Sequence, residues 1–233
     1  MQTCIIIPTL NEKGNILKIY FKIKECKLRT DILFIDDNST DGSREEIKFL
    51  SKRYKNVKYL FRNSKKGIGS AHKEGIKYCY KKKYNTIITM DCDGTHDPKY
   101  IKKLIFYSKK FDYISTNRFL SKNLLSDWPF QRLLITKIRH YLISLLLNIS
   151  FDASGAYRCF KTEKIKLLDI ISAKNNDYAF FWEITYIIYK KNYSIYEIPV
   201  KLPYRKLGKS KMKLHHMYSS LFNLIKLYFS NEK

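Results

Sequence analysis

Two aspartates separated by one residue, Asp91 and Asp93 in the run ITMDCDGTHDP, follow directly on an apolar segment. Carboxylates at that spacing at a strand end can face one divalent cation, and a hard ion such as Mg²⁺ or Mn²⁺ takes oxygen ligands and bridges diphosphates. A capped loop is the plainer use of the same residues, because Asp is frequent at turns and helix starts. Their position after the third strand of an alternating pattern favours the metal reading. A nucleotide also needs acceptors for its ribose and base, and Glu12 in PTLNE and Asp37 in FIDDNSTDGS stand at corresponding strand ends. Helix capping competes for these residues, and for Asp41, followed by Gly42, capping is the preferred reading.

These residues need elements to hold them. CIIIP, DILFID and NTIITMD are continuous apolar, largely β-branched runs and predict buried strands. Between them, Glu12 to Lys27, Ser43 to Tyr54 and Gly69 to Lys82 carry helical periodicity. Strand and helix in alternation predict an α/β fold around a mostly parallel sheet, whose ligands sit beyond the carboxyl ends of the strands. Past residue 118 the pattern loosens into a Trp-Pro turn, a segment ASGAYRCF, a helix near Ala179 to Lys190 and a last strand around Ser194 to Val200. Without a repeat or a linker, residues 1–233 are expected to form one domain, with 1–118 binding the nucleotide and 119–233 facing the acceptor.

The run LLITKIRHYLISLLLNI, Leu133 to Ile149, is broken by Lys137, Arg139 and His140 and is too short to span a bilayer. Thr136, His140, Ser144 and Asn148 recur every four residues, which predicts an amphipathic helix that packs on the core or lies in a membrane interface. A second such helix is expected in HHMYSSLFNLIKLYF, where Met217, Leu221, Leu224, Ile225 and Tyr228 follow helical spacing. The chain has 45 Lys and Arg against 21 Asp and Glu, a formal charge of +24, and so is drawn to polyanions. Because the lysines are spread through nearly every surface segment, a nucleic-acid partner carries little weight; a non-catalytic basic binder would leave the paired carboxylates unexplained. The five cysteines lie far apart with no C-x-x-C pair, which argues against a zinc site or a disulfide framework and fits a reduced compartment. No signal peptide is expected, since no basic region leads into a long apolar stretch.

Seven blocks, IIIPTLNE, FIDDNSTDGS, KKGIGSAHKEG, MDCDGTHDP, STNRF, DASGAYRCF and EIPVKLPYRKLGKSKMK, occur in the order and spacing of one family. Their arrangement resembles dolichyl-phosphate mannosyltransferases and related polyprenyl-phosphate sugar transferases of glycosyltransferase family 2. The resemblance implies a GT-A fold in which Pro8, Leu10, Glu12, Ile35 and Asp37 hold the nucleoside, and Asp91, Cys92 and Asp93 form the metal and diphosphate motif. It implies that Arg118, Arg132, Arg205 and Lys211 contact donor or acceptor phosphates, and that Ser154 and Arg158 lie by the acceptor phosphate. Asp93, Arg118, Arg132 and Lys211 are then the catalytic candidates. Three departures stand out: Leu10 replaces a usual Tyr, Cys92 a usual Ala, and Thr95 a Gln or Ser.

Transferases that use hydroxyl acceptors need a general base and usually carry Gln-x-x-Arg-Trp, which does not occur here. A phosphate monoester, with its second pKa near about 6, is already largely anionic at pH 7 and needs positive charge rather than a base. The resemblance thus implies transfer of mannose from GDP-mannose to dolichyl or polyprenyl phosphate, with UDP-glucose, UDP-GlcNAc or a glycan hydroxyl as alternative substrates. The expected location is the cytosolic face of a membrane, with room for a small membrane-anchoring subunit. Tyr204 to Lys211, YRKLGKSK, has four basic residues in eight and is expected to act as a lid over the donor diphosphate.

Overall fold

The structure is a computed structural model that describes residues 2–203 and 214–231, with the side chains of the last helix described for 219–229. Seven strands form one sheet: β1 (Thr3–Thr9), β2 (Thr30–Asp36), β3 (Val57–Phe61), β4 (Thr86–Thr89), β5 (Tyr113–Asn117), β6 (Arg158–Lys161) and β7 (Ile195–Pro199). Their order is β3-β2-β1-β4-β6-β5-β7. The first four are parallel, β6 runs antiparallel to both β4 and β5, and β7 returns parallel to β5. The sheet is therefore mostly parallel, as expected.

Eight helices accompany the sheet among the described residues: α1 (Asn15–Glu25), α2 (Ser43–Arg53), α3 (Ile68–Lys81), α4 (Ile101–Tyr107), α5 (Phe130–Leu147), α6 (Leu167–Ile171), α7 (Phe180–Lys190) and α8 (Leu214–Asn231). The two-residue period of the strands sorts their side chains between two cores. Ile5, Ile7, Phe34 and Ile88 pack with the inward residues of α1, α2 and α4. Cys4, Ile6, Leu33, Ile35 and Ile87 pack on the other face with α3, α6 and α7. A third cluster joins α5, α7 and α8 through Ile143, Leu147, Trp182, Tyr186 and Leu224.

Gly75 lets α3 press directly on the sheet, since a Cβ there would overlap Ile35 and Ile6. Ile35 is therefore a core residue, fully buried against α3, and not a wall of the nucleoside site as the resemblance implies. Arg158 needs the same correction. On β6 it points to the same side as Phe160, two residues on, and is buried between the rings of Tyr113 and Phe181. Its Nη2 donates to the carbonyl of Ala153, so its guanidinium lies inside the protein rather than at an acceptor.

The sense of α5 is the largest surprise. Thr136 is buried and Arg139, His140 and Ser144 lean inward, whereas Leu134, Ile138, Tyr141 and Leu145 are 47%, 49%, 63% and 60% exposed. Its inward face thus mixes polar residues with the buried Ile143 and Leu147, while a row of large apolar residues faces out. α8 also exposes large apolar side chains, with Phe222 68% and Phe229 62% exposed. No helix among the described residues is long and apolar enough to cross a membrane.

Candidate active site

The carboxyl ends of β1, β2 and β4 open into a cavity of about 1050 Å³. Its walls include Pro8, Leu10, Glu12, Asp37, Asp91, Cys92 and Asp93 from the strand ends, and Arg118, Arg132, Arg139 and Ser154 from the second half of the chain. Of the residues implied by the resemblance, Ile35 and Arg158 lie away from it, and Arg205 and Lys211, with the expected lid, lie outside the described residues.

The strand-end loops are built from carboxylates with distinct tasks. Asp36 is fully buried and accepts from Ser39 N at 3.0 Å and Arg44 Nε at 2.6 Å, which makes it a loop organiser. Asp41 accepts from Lys13 N and Ser43 N, each at 3.0 Å, in agreement with its capping role. Burial works against its ionisation, but these N–H groups and the Ser43 hydroxyl win and lower its pKa. Asp37 turns to the cavity and is steadied by Lys66 N at 3.0 Å and by Arg62 Nη1 at 3.2 Å. Arg62, at the end of β3, is a supporting residue that the sequence reading missed.

Asp91 and Asp93 occupy the loop after β4, where Gly94 turns the chain with a φ of 79° that favours glycine. Thr95 donates both its backbone N–H, at 3.0 Å, and its hydroxyl, at 2.6 Å, to Asp93 Oδ1. Thr95 thus fixes the Asp93 carboxylate in place. His96 lies buried against Tyr157, ring centroids 5.0 Å apart, and its Nδ1 accepts from Asp91 N at 2.8 Å. The proton therefore sits on Nε2, which faces Asp91 Oδ2 at 3.8 Å. Among the described residues no group of three or more His, Cys, Asp or Glu side chains encloses a metal position. Two carboxylates at a cavity wall form an oxygen-only donor set, which suits a hard cation that completes its shell with substrate oxygens.

The second half of the chain lines the cavity with cations. Arg118, on the turn leaving β5, grips Asp152 with Nε to Oδ2 at 2.8 Å and Nη2 to Oδ1 at 3.1 Å. Its Nη2 also donates to Ser154 Oγ at 2.7 Å, and Arg139 Nη2 approaches the same hydroxyl at 3.3 Å. The Arg132 guanidinium lies 4.2 Å from the centre of the Trp128 ring, itself anchored by Nε1 to the carbonyl of Leu202 at 2.8 Å. Burial disfavours the charged form of Asp152, yet the charge and hydrogen bonds of Arg118 outweigh it and bring the carboxyl down from an ordinary 3.8 to about 2.

That pair has a measurable consequence. A folded pKa below the unfolded one gives stability that is fully present above about pH 4 and lost as pH falls through about 2, on the order of 2 kcal/mol. Asp152→Asn should lower the unfolding free energy at pH 7 by about 3 kcal/mol, since it strands a buried guanidinium. Denaturant titrations of both proteins at pH 7 and pH 3 should show the gap narrowing at the lower pH. An unchanged gap would mean that the pair does not set the local electrostatics.

Residues 4–168 match the model of the family described as Glycosyl transferase family 2. A polyprenol monophosphomannose synthase of Mycolicibacterium smegmatis is 26% identical over 228 residues, 96% of this chain and 85% of that protein. An undecaprenyl-phosphate mannosyltransferase of Micrococcus luteus is 25% identical over 213 residues, 91% of this chain and 88% of that protein. Among solved structures, glucosyl-3-phosphoglycerate synthase from Mycobacterium tuberculosis, in complex with Mn²⁺, UDP and glucosyl-3-phosphoglycerate, superposes with a TM-score of 0.69 at 12% identity, covering 96% of this chain and 77% of that one. The mostly parallel sheet, the strand-end carboxylates and the family match covering most of the chain agree: this protein is a glycosyltransferase that belongs to family 2.

Proposed function

We propose that the protein transfers a sugar, with mannose from GDP-mannose the first choice, to a polyprenyl or dolichyl phosphate at a membrane surface. One observation carries this reading: a single cavity is lined both by carboxylates at the strand ends and by guanidiniums from the second half of the chain, and α5, which contributes to its wall, also exposes large apolar side chains. The names of the two relatives, both of them polyprenyl-phosphate mannose enzymes, support it.

In this reading Glu12 and Asp37 accept from ribose or base, with Pro8 and Leu10 as apolar walls. Asp91 and Asp93 would hold Mg²⁺ or Mn²⁺, which offsets the charge of the departing nucleoside diphosphate. Arg118, Arg132 and Ser154 receive the acceptor phosphate and orient one of its oxygens toward the anomeric carbon. That oxygen is already anionic, so in-line displacement proceeds without a general base and inverts the sugar configuration. Arg205 and Lys211 are proposed to complete the cationic shell as the lid, and 1–233 to act as one catalytic domain. α5 and α8 already offer an apolar surface, so the reading does not require a separate anchoring subunit.

The test is a transfer assay with GDP-mannose, UDP-glucose and UDP-GlcNAc, one polyprenyl phosphate and one glycan acceptor, with and without chelator. Transfer to the lipid phosphate, lost in chelator and restored by Mg²⁺ or Mn²⁺, is the expected result. Transfer to the glycan hydroxyl alone would overturn the acceptor reading, and full activity in chelator would overturn the metal reading.

A further inference from the structure

We propose that Arg139 is the specificity-determining cation at the acceptor end of the cavity, selecting a terminal phosphate monoester over singly charged or neutral groups. The inference rests on the lipid-phosphate reading above and deepens it. Arg139 projects from the inward face of α5, one helical turn after the buried Thr136. It lines the cavity, approaches Ser154 Oγ at 3.3 Å, and has a buried Nε without a hydrogen-bond partner.

The charges around it do not balance internally. Asp152 is engaged side-on by Arg118, through two hydrogen bonds, and so answers that cation first. The Ser154 hydroxyl donates toward Asp152 at 3.2 Å while receiving both Arg118 and Arg139, so its acceptor capacity is filled. Glu197, on β7, is turned to Asn117 Nδ2 and the backbone N–H of Asp152, each at 2.8 Å, and burial raises its pKa. His140, next in sequence, stacks on Phe119 at 4.1 Å, and burial lowers its pKa, with Asp152 opposing and Arg118 and Arg139 assisting. Burial and then the neighbouring charge of Arg118 bring Arg139 itself down to about 10, with Arg132 adding to the effect and Asp152 opposing it.

A guanidinium kept partly desolvated, with an unpaired N–H and two other guanidiniums lining the same cavity, is costly in the free protein. A group that brings two negative charges and several acceptor oxygens removes that cost, and a phosphate monoester does so where a diester, with one charge, does so less well. Loss of one such charge-assisted contact weakens binding about tenfold to a hundredfold. The same crowding predicts an opposite sign for stability: replacing Arg139 relieves repulsion and burial cost.

The experiment compares wild type, Arg139→Gln and Arg139→Lys as full chains. It measures acceptor KM, donor KM and Tm, and the binding of methyl phosphate and dimethyl phosphate without turnover. Arg139→Gln should raise acceptor KM about tenfold or more, leave donor KM unchanged, erase the preference for methyl phosphate and hold or raise Tm; Arg139→Lys should recover part of the affinity. A folded Arg139→Gln variant with wild-type acceptor KM and an intact methyl phosphate preference overturns the proposal, as does a fall in Tm without change in either. Should the wild type transfer only to a hydroxyl acceptor, the lipid-phosphate reading fails separately. Methyl phosphate binding still decides on Arg139 in that case: its loss in Arg139→Gln supports the proposal, and its retention overturns it.

Discussion

Asp93→Asn should reduce sugar transfer by about 10³-fold or more while leaving the fold intact. The expectation of an intact fold comes from the loop itself. Asp93 Oδ1 receives the Thr95 N–H and hydroxyl, and an asparagine oxygen can accept both, so the turn around Gly94 keeps its bonds. What the variant loses is the negative charge and the second carboxylate oxygen, the features needed to hold a hard cation against a diphosphate. Transfer assays paired with thermal unfolding check this, and the Tm should stay within a few degrees of wild type, since the side chain is partly exposed. A folded Asp93→Asn enzyme with near-normal turnover would remove Asp93 from the chemistry. Asp93→Ala makes a useful contrast, because it also deletes the acceptor that orders the loop and should cost stability as well.

Much of the first half of the fold was legible because three of its strands are central and apolar on both faces. β1, β2 and β4 read as unbroken hydrophobic runs for that reason. β3 was missed because it is the edge strand VKYLF, half-buried and interleaved with Lys58 and Tyr59. β5 and β6 were missed for a different reason. Their sequences YISTN and RCFK are polar, yet they are almost wholly buried, because Ser115, Thr116 and Asn117 bond to the loop and strand that frame Asp152 and Ser154. Burial of polar strand residues needs partners distant in sequence, and a local pattern does not reveal them.

The site was legible as a set of motifs but not as a set of directions. Arg118 and Arg158 were equally prominent in the sequence, yet Arg118 reaches the cavity and Arg158 is sealed between aromatic rings. Arg139 appears in the sequence only as an interruption of an apolar run. Periodicity tells which residues of a helix share a face, and the neighbours decide which face is inside. In α5 those neighbours include Ser154, to which Arg139 donates, so the arginine turns inward while Leu134 and Leu145 stay exposed.

That exposed apolar row leads to the second large effect. Leu134→Asp combined with Leu145→Asp should reduce binding to anionic vesicles by about a hundredfold or more, while the folded enzyme retains transfer to a short, water-soluble polyprenyl phosphate. Both side chains are exposed, 47% and 60%, and lie off the cavity wall, so their replacement leaves the core cluster of Ile143 and Leu147 intact. Burying such side chains at a lipid interface contributes roughly 1–2 kcal/mol each, and two added carboxylates bring repulsion from anionic headgroups besides. The basic C-terminal stretch acts in the same direction: between Ile198 and Asn231 there is no acidic residue, while Lys201, Arg205, Lys206, Lys209, Lys211, Lys213 and Lys226 are present. Flotation with vesicles of neutral and anionic lipid at moderate salt separates the two contributions, because salt screens the lysines and leaves the apolar term. Wild-type flotation by the double variant would show that this face is not the lipid contact. Loss of transfer to the short acceptor in parallel with loss of flotation would instead place α5 in the catalytic geometry, since its inward stripe already supplies Arg132 and Arg139 to the cavity.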